Sequence, residues 1–143
     1  MTHLLIDVRD IDCHKKYITD RIYISSLIDE LCRVLNFNKL GPTYAYEFNE
    51  DVSRGLECGL TAFQVLTTSH ISYHSNAEVR GFQADIFSCT NFDAEDAMRI
   101  FNYYLPSENY NYRVVHRDIS YVNGVVNNYS DGDDVETIVE KSD

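Results

Sequence analysis

Long apolar runs are missing from this sequence. No stretch approaches the roughly 18 residues that a membrane-crossing helix needs, so no membrane partner is expected. The apolar start of "MTHLLIDVRD" is cut short by Asp7, which argues against a signal peptide. Paired cysteines are missing too. Cys13, Cys32, Cys58 and Cys89 are scattered without a CxxC, against a zinc ribbon and, with no secretion signal, against a disulfide scaffold. An intracellular, cytoplasmic protein with reduced thiols is expected, in the host cytoplasm if the chain is viral. Basic residues are scarce, 12 against 23 acids, giving a net charge of −11. A phosphate backbone would be repelled, so nucleic acid is not an expected partner. No internal repeat stands out.

What is present suits one domain with a core: 143 residues, 44% hydrophobic and 13% aromatic. Residues 3–9 alternate Leu4, Ile6 and Val8 with Leu5, Asp7 and Arg9, which predicts a strand. Ile24, Leu27, Ile28, Leu31, Val34 and Leu35 fall at helical spacing, so a helix is predicted over about 15–36. Gly41-Pro42 breaks the chain. Strands are predicted over 43–48, 59–67, the stretch from Ser69, and 79–89. Asp93 is placed to cap a second helix, with Asp96 three residues on; Ala94, Ala97, Met98, Phe101 and Leu105 form its stripe, and it ends before Pro106. A last strand is predicted over about 111–121, and Asn123-Gly124 signals a turn.

The order β-α-β-β-β-β-α-β leaves too few helices to cover both faces of a sheet. The expected fold class is α+β: a two-layer sandwich, mostly antiparallel sheet with two helices on one face. The uncovered sheet face invites a second copy, hence an expected homodimer. The domain is expected over 1–122. Residues 123–143 read as a solvated, disordered tail, because the last thirteen carry six acids against one lysine.

The stretch "TTSHISYHS" crowds Ser69, His70, Ser72 and His74 together. His70 and His74 have the spacing of HExxH ligands. On a strand that spacing spreads them too far apart, and no glutamate follows the first histidine, so no metal is expected. Ser69 lacks a G-x-S-x-G elbow for a hydrolase. On residue types alone, a plain strand with satisfied hydroxyls and imidazoles remains open.

The wider pattern, "LTAFQVLTTSHISYHSNAE" and then "FQADIFSC", with "HLLIDV" before it and "YRVVHRDIS" after, resembles the S-adenosylmethionine decarboxylase family. Its bacterial and archaeal members are pyruvoyl-dependent proenzymes that feed spermidine synthesis. The resemblance covers about residues 3–121. It implies self-cleavage between Thr68 and Ser69, with Ser69 as precursor of a pyruvoyl group, the self-generated cofactor that binds the substrate amine as an imine. It also implies His74 as processing histidine and Thr61 in place of a processing serine. Cys89 would be the proton donor, Glu78 the ribose ligand, and Phe48 or Tyr46 the aromatic on adenine. S-adenosylmethionine is then the small-molecule substrate, and processed units pair as a homodimer. Three departures stand out: Thr68 replaces the usual glutamate, Ser75-Asn76-Ala77 replaces Thr-Trp-Pro, and the loop "NEDVSRGLE" is long. They leave two alternatives: decarboxylation of another amino acid such as ornithine or arginine, or an unprocessed, non-catalytic ligand-binding homologue.

Overall fold

The computed structural model describes residues 1–49 and 58–117 in full, together with the backbone of three strand segments, 121–122, 125–126 and 135–141. Strand β1 (Thr2–Arg9) buries Leu4, Ile6 and Val8 on one side, as its alternation requires. A 3-10 turn (Lys15–Thr19) follows, then α1 (Arg21–Val34). Helical spacing alone runs the two together from residue 15. Asp20 separates them: its carboxylate accepts the N–H groups of Ile22 and Tyr23, both at 2.9 Å, and its extended backbone starts a new helix. The helix buries Ile24, Leu27, Ile28, Leu31 and Cys32, while Val34 lies outside the stripe and is exposed. Asn36, at φ 58, ends it in the left-handed conformation asparagine tolerates.

The sheet strands β2 (Tyr44–Phe48), β3 (Gly59–Leu66), β4 (Ser69–Asn76) and β5 (Gly81–Ser88) come next. Helix α2 (Ala94–Tyr104) and β6 (Asn109–His116) follow. Asp93 caps α2 through the Glu95 N–H; Asp96 pairs with Arg99 instead of reaching back to the cap. The order across the antiparallel sheet is β2-β3-β4-β5-β1-β6. This is the expected α+β class. Both helices pack in one core cluster with the same sheet face, through Leu60, Ile71, Tyr73, Ala84 and Ile86. Phe82 stacks between Tyr73 and Phe101, at centroid distances of 5.3 and 5.5 Å.

Beyond residue 117 the structure differs from the sequence reading. Short strands β7 (Tyr121–Val122) and β8 (Val125–Val126) pair on either side of the Asn123-Gly124 turn signal, which itself lies outside the described residues. Strand β9 (Val135–Lys141) then pairs with β6, so this part of the expected solvated tail is a seventh strand. Without it β6 would be an unpaired edge. Among the described residues, no helix is long and apolar enough to cross a membrane.

Tyr73 is fully buried, and its hydroxyl donates to the Ile18 carbonyl at 2.8 Å, tying β4 to the 3-10 turn. Tyr73→Phe leaves that carbonyl without its donor. The expected loss is about 1–2 kcal/mol, read from the urea midpoint of the variant against the parent.

Candidate functional site

Two residues, Thr67 and Thr68, connect β3 to β4, and Leu66 faces Ser69 across the hairpin. Thr68 stands at φ 58. Glycine or asparagine adopts this region readily, whereas a β-branched side chain crowds its own backbone there. The turn is clamped from outside. The Thr67 N–H donates to the Asn38 carbonyl at 3.0 Å, and the Asn38 amide donates to Thr67 Oγ1 at 2.9 Å. The Leu40 N–H donates to the Val65 carbonyl at 3.0 Å.

Cys89, just past the end of β5, lies beside this turn. Thr68 Oγ1 is 2.7 Å from Cys89 Sγ and 2.6 Å from the Thr67 carbonyl, so its one hydrogen is shared between them. The Cys89 N–H donates to Ser69 Oγ at 3.1 Å. These contacts hold the Cys89 thiol below its ordinary pKa, first through the Thr68 hydroxyl and then through Ser69. Burial pushes Cys32 the other way, up to about 11, and also raises Cys13.

The remaining sequence-predicted residues gather at the opposite end of the sheet. Thr61 pairs with His74, with Oγ1 3.1 Å from Nδ1. Tyr46 pairs with Thr61 on the other side and is exposed. Phe48 faces Gly59, where any Cβ would strike its ring and the Ser75 carbonyl. Glu78 is exposed in the turn after β4, and its N–H donates to Asn76 Oδ1 at 2.8 Å. Five residue steps of extended strand separate Ser69 from His74, roughly 17 Å. One chain therefore brings Thr68, Ser69 and Cys89 together, and Thr61 and His74 together, but keeps the two groups apart.

At the turn Ser69 shares the parity of buried Ile71 and Tyr73, whereas Thr61 and His74 lie on the helix-free face of the sheet. One row across it reads Tyr46, Thr61, His74, Gln83, Asp7, Asn111 by register. A cleft of about 600 Å³ opens beside this row, lined by Asp7, His74, Asn76, Gln83, Tyr110 and Asn111 among others. A second row carries aromatic rings. His70 stacks on Phe63 at 5.5 Å and tilts against Phe87 at 5.8 Å; His3 meets the Phe87 edge at 5.9 Å. Burial lowers the His3 pKa, ahead of the opposing pull of Asp85. This ring row is not evident from the sequence. Its signal lay in strand parity, but joining residues 3, 63, 70 and 87 needs the register of four strands. Among the described residues, no three His, Cys, Asp or Glu side chains converge to hold a metal ion.

A family model described as S-adenosylmethionine decarboxylase matches residues 2–118. The chain belongs to the S-adenosylmethionine decarboxylase family. Among solved structures, the adenosylmethionine decarboxylase of Aquifex aeolicus VF5 is similar in fold, with a TM-score of 0.65 and 22% identity. That alignment covers 90% of this chain and 94% of the Aquifex chain. A search of curated proteins finds no match. The family segment runs from β1 through β6 and ends before the β7–β8 hairpin and β9. The strained turn, Cys89 and the Thr61–His74 pair all lie within it.

The exposed, acidified Cys89 should react with iodoacetamide ahead of Cys32 and Cys13 near neutral pH, as read by peptide mass mapping. Thr68→Val removes the first hydrogen bond, so the Cys89 pKa rises and its labelling at fixed pH slows. Unchanged labelling of Cys89 in the variant would contradict the assigned cause.

Proposed function

We propose that this chain is a self-processing, pyruvoyl-dependent decarboxylase of S-adenosylmethionine, acting in the cytoplasm and supplying the aminopropyl donor for spermidine synthesis. One observation carries the reading. Ser69 follows a strained turn residue, has its hydroxyl oxygen held by the Cys89 N–H, and has the Cys89 thiol beside the bond to be cut.

Family membership suggests the reaction, and the residues present suit it. The Ser69 hydroxyl adds to the Thr68 carbonyl carbon, and the amide nitrogen leaves as the amine of an ester. Loss of the Ser69 α-proton expels Thr68 as a free carboxylate and leaves a dehydroalanine. Water enters and ammonia departs, so the 69–143 fragment begins with a ketone. That group supplies the electron sink that decarboxylation of an α-amino acid needs and that no ordinary side chain offers. His74, oriented by the Thr61 hydroxyl, suits the proton transfers of cleavage. Cys89, as a thiol, suits protonation of the decarboxylated carbon. Glu78 suits the ribose hydroxyls, and Phe48 or Tyr46 suits adenine.

The separation of roughly 17 Å between Ser69 and His74 bears on how these roles combine. A homodimer packed through the helix-free sheet faces resolves it. In a two-fold arrangement, the Ser69 end of one chain lies against the His74 end of its partner. Exposed Tyr44, Phe63 and Val65 on that face favour such burial. Each cleavage site would then be built from two chains.

A second reading has its own observation. Where the family's substrate loop carries Trp-Pro, this chain has Asn76, which holds the Glu78 N–H, and the small, buried Ala77. Such a change suits a different amino acid, ornithine or arginine, with the same chemistry. Release of labelled carbon dioxide from carboxyl-labelled S-adenosylmethionine, ornithine and arginine decides between them. Release from S-adenosylmethionine alone is expected. Release from none by a chain that stays uncut would leave a non-catalytic ligand-binding homologue.

Coexpression tests the shared site. Ser69→Ala and His74→Ala chains should each stay intact when made separately. When made together, part of the His74→Ala population should split, because its Ser69 meets an intact His74 on the Ser69→Ala partner. No splitting in the mixture would place both groups on one chain.

A further inference from the structure

Thr68 stands where the family usually has glutamate, and nothing in the cleavage chemistry above uses its side chain. Its backbone is the unusual feature. Among the described non-glycine residues, Asp10, Asn36, Thr68 and Arg80 have positive φ, and Thr68 alone of these is β-branched. Asparagine or glycine would close the same two-residue turn without crowding.

The turn cannot relax around this residue. On one side, the segment 38–40 holds Thr67 and Val65 by three hydrogen bonds. On the same strand, Gln64 is fully buried, and its side-chain amide donates to the carbonyls of Gly41 and Val65 at 3.1 and 3.0 Å. On the other side, Ser69 is tied to Cys89 and paired with Leu66. A left-handed β-branched residue persists only when its neighbours over-determine it, and these do.

We infer that Thr68 is a positioning residue that primes this chain's own scission, because its crowded left-handed backbone makes the uncut hairpin less favourable than the cut one. The inference rests on the self-processing proposed above and adds its driving force. In the intact chain both peptide bonds of Thr68 are held. When its bond to the Ser69 nitrogen is exchanged for the ester and then broken, Thr68 becomes a chain end. Its φ and ψ are then free to leave the crowded region. No further reactant is needed. The strain is spent in the step it favours, and strained residues commonly occupy functional sites for this reason.

Two variants separate the backbone from the hydroxyl. Thr68→Gly relieves the crowding and removes the hydroxyl. Thr68→Val keeps the branched Cβ and removes only the hydroxyl. The half-time of splitting, followed by intact mass on freshly made chain, should lengthen roughly 5- to 30-fold in Thr68→Gly, as expected for the usual cost of a left-handed residue. In Thr68→Val it should stay within about twofold of the parent. A glycine variant as fast as the parent, or a valine variant as slow as glycine, would overturn the inference.

Melting in a Ser69→Ala background, which cannot split, gives an independent reading. Glycine ordinarily lowers stability through the unfolded chain, so Thr68→Gly melting no lower than its parent supports the strain. A clear drop overturns it. If the natural chain itself never splits, the self-processing proposal falls, while the melting comparison still decides whether Thr68 is strained.

Discussion

A two-residue connection between β3 and β4 leaves those strands no freedom of register. Leu66 must face Ser69, and from there each pairing follows: Val65 with His70, Phe63 with Ser72, Thr61 with His74. A slip of one residue would turn His74 into the core and Tyr73 out of it. The core therefore enforces the chemistry. Tyr73, Ile71 and Leu60 are buried beneath the helices, which holds Thr61, His70 and His74 on the opposite face. The same turn places Thr68 in a left-handed conformation and brings Cys89 against it, so the Thr68–Ser69 bond and its thiol neighbour come from one constraint.

That constraint also divides the chemical groups. An extended strand cannot fold back on itself, so Ser69 and His74 sit at opposite ends of β4. The face without helices carries a polar row through Thr61 and His74 and a ring row through His70. In the proposed homodimer, a two-fold pairing of such faces would bring the Ser69 end of one chain to the His74 end of the other.

Much of the fold was legible in one dimension. Period-two alternation in residues 3–9 and 69–75 and helical spacing in 24–31 mark elements whose burial is local in origin. The start of α1 was misplaced because Asp20 acts as a cap only through its extended backbone, which spacing does not reveal. Strand β9 was hidden by its acids. Edge strands tolerate charge, and the partners that organise Val135–Lys141 lie 19 to 31 residues earlier, in β6. The candidate site residues were proposed from the family pattern around Ser69, not from residue chemistry alone. Their grouping was not readable: the joining of Thr68 with Cys89, the distance between Ser69 and His74, and the His3–Phe87–His70–Phe63 row all depend on strand order. The positive φ of Thr68 was the least legible, since threonine is a residue the turn would not choose for itself.

The proposed decarboxylase chemistry depends on self-cleavage between Thr68 and Ser69, by which the chain would make its own electrophile. The intact mass of freshly purified protein tests it most directly. Self-cleavage gives two fragments, residues 1–68 and 69–143, with the second about 17 Da lighter than a serine-initiated chain because its amine has left as ammonia. A single chain of 16.5 kDa, unchanged after long incubation, would contradict it and remove the ketone on which the proposed decarboxylation depends.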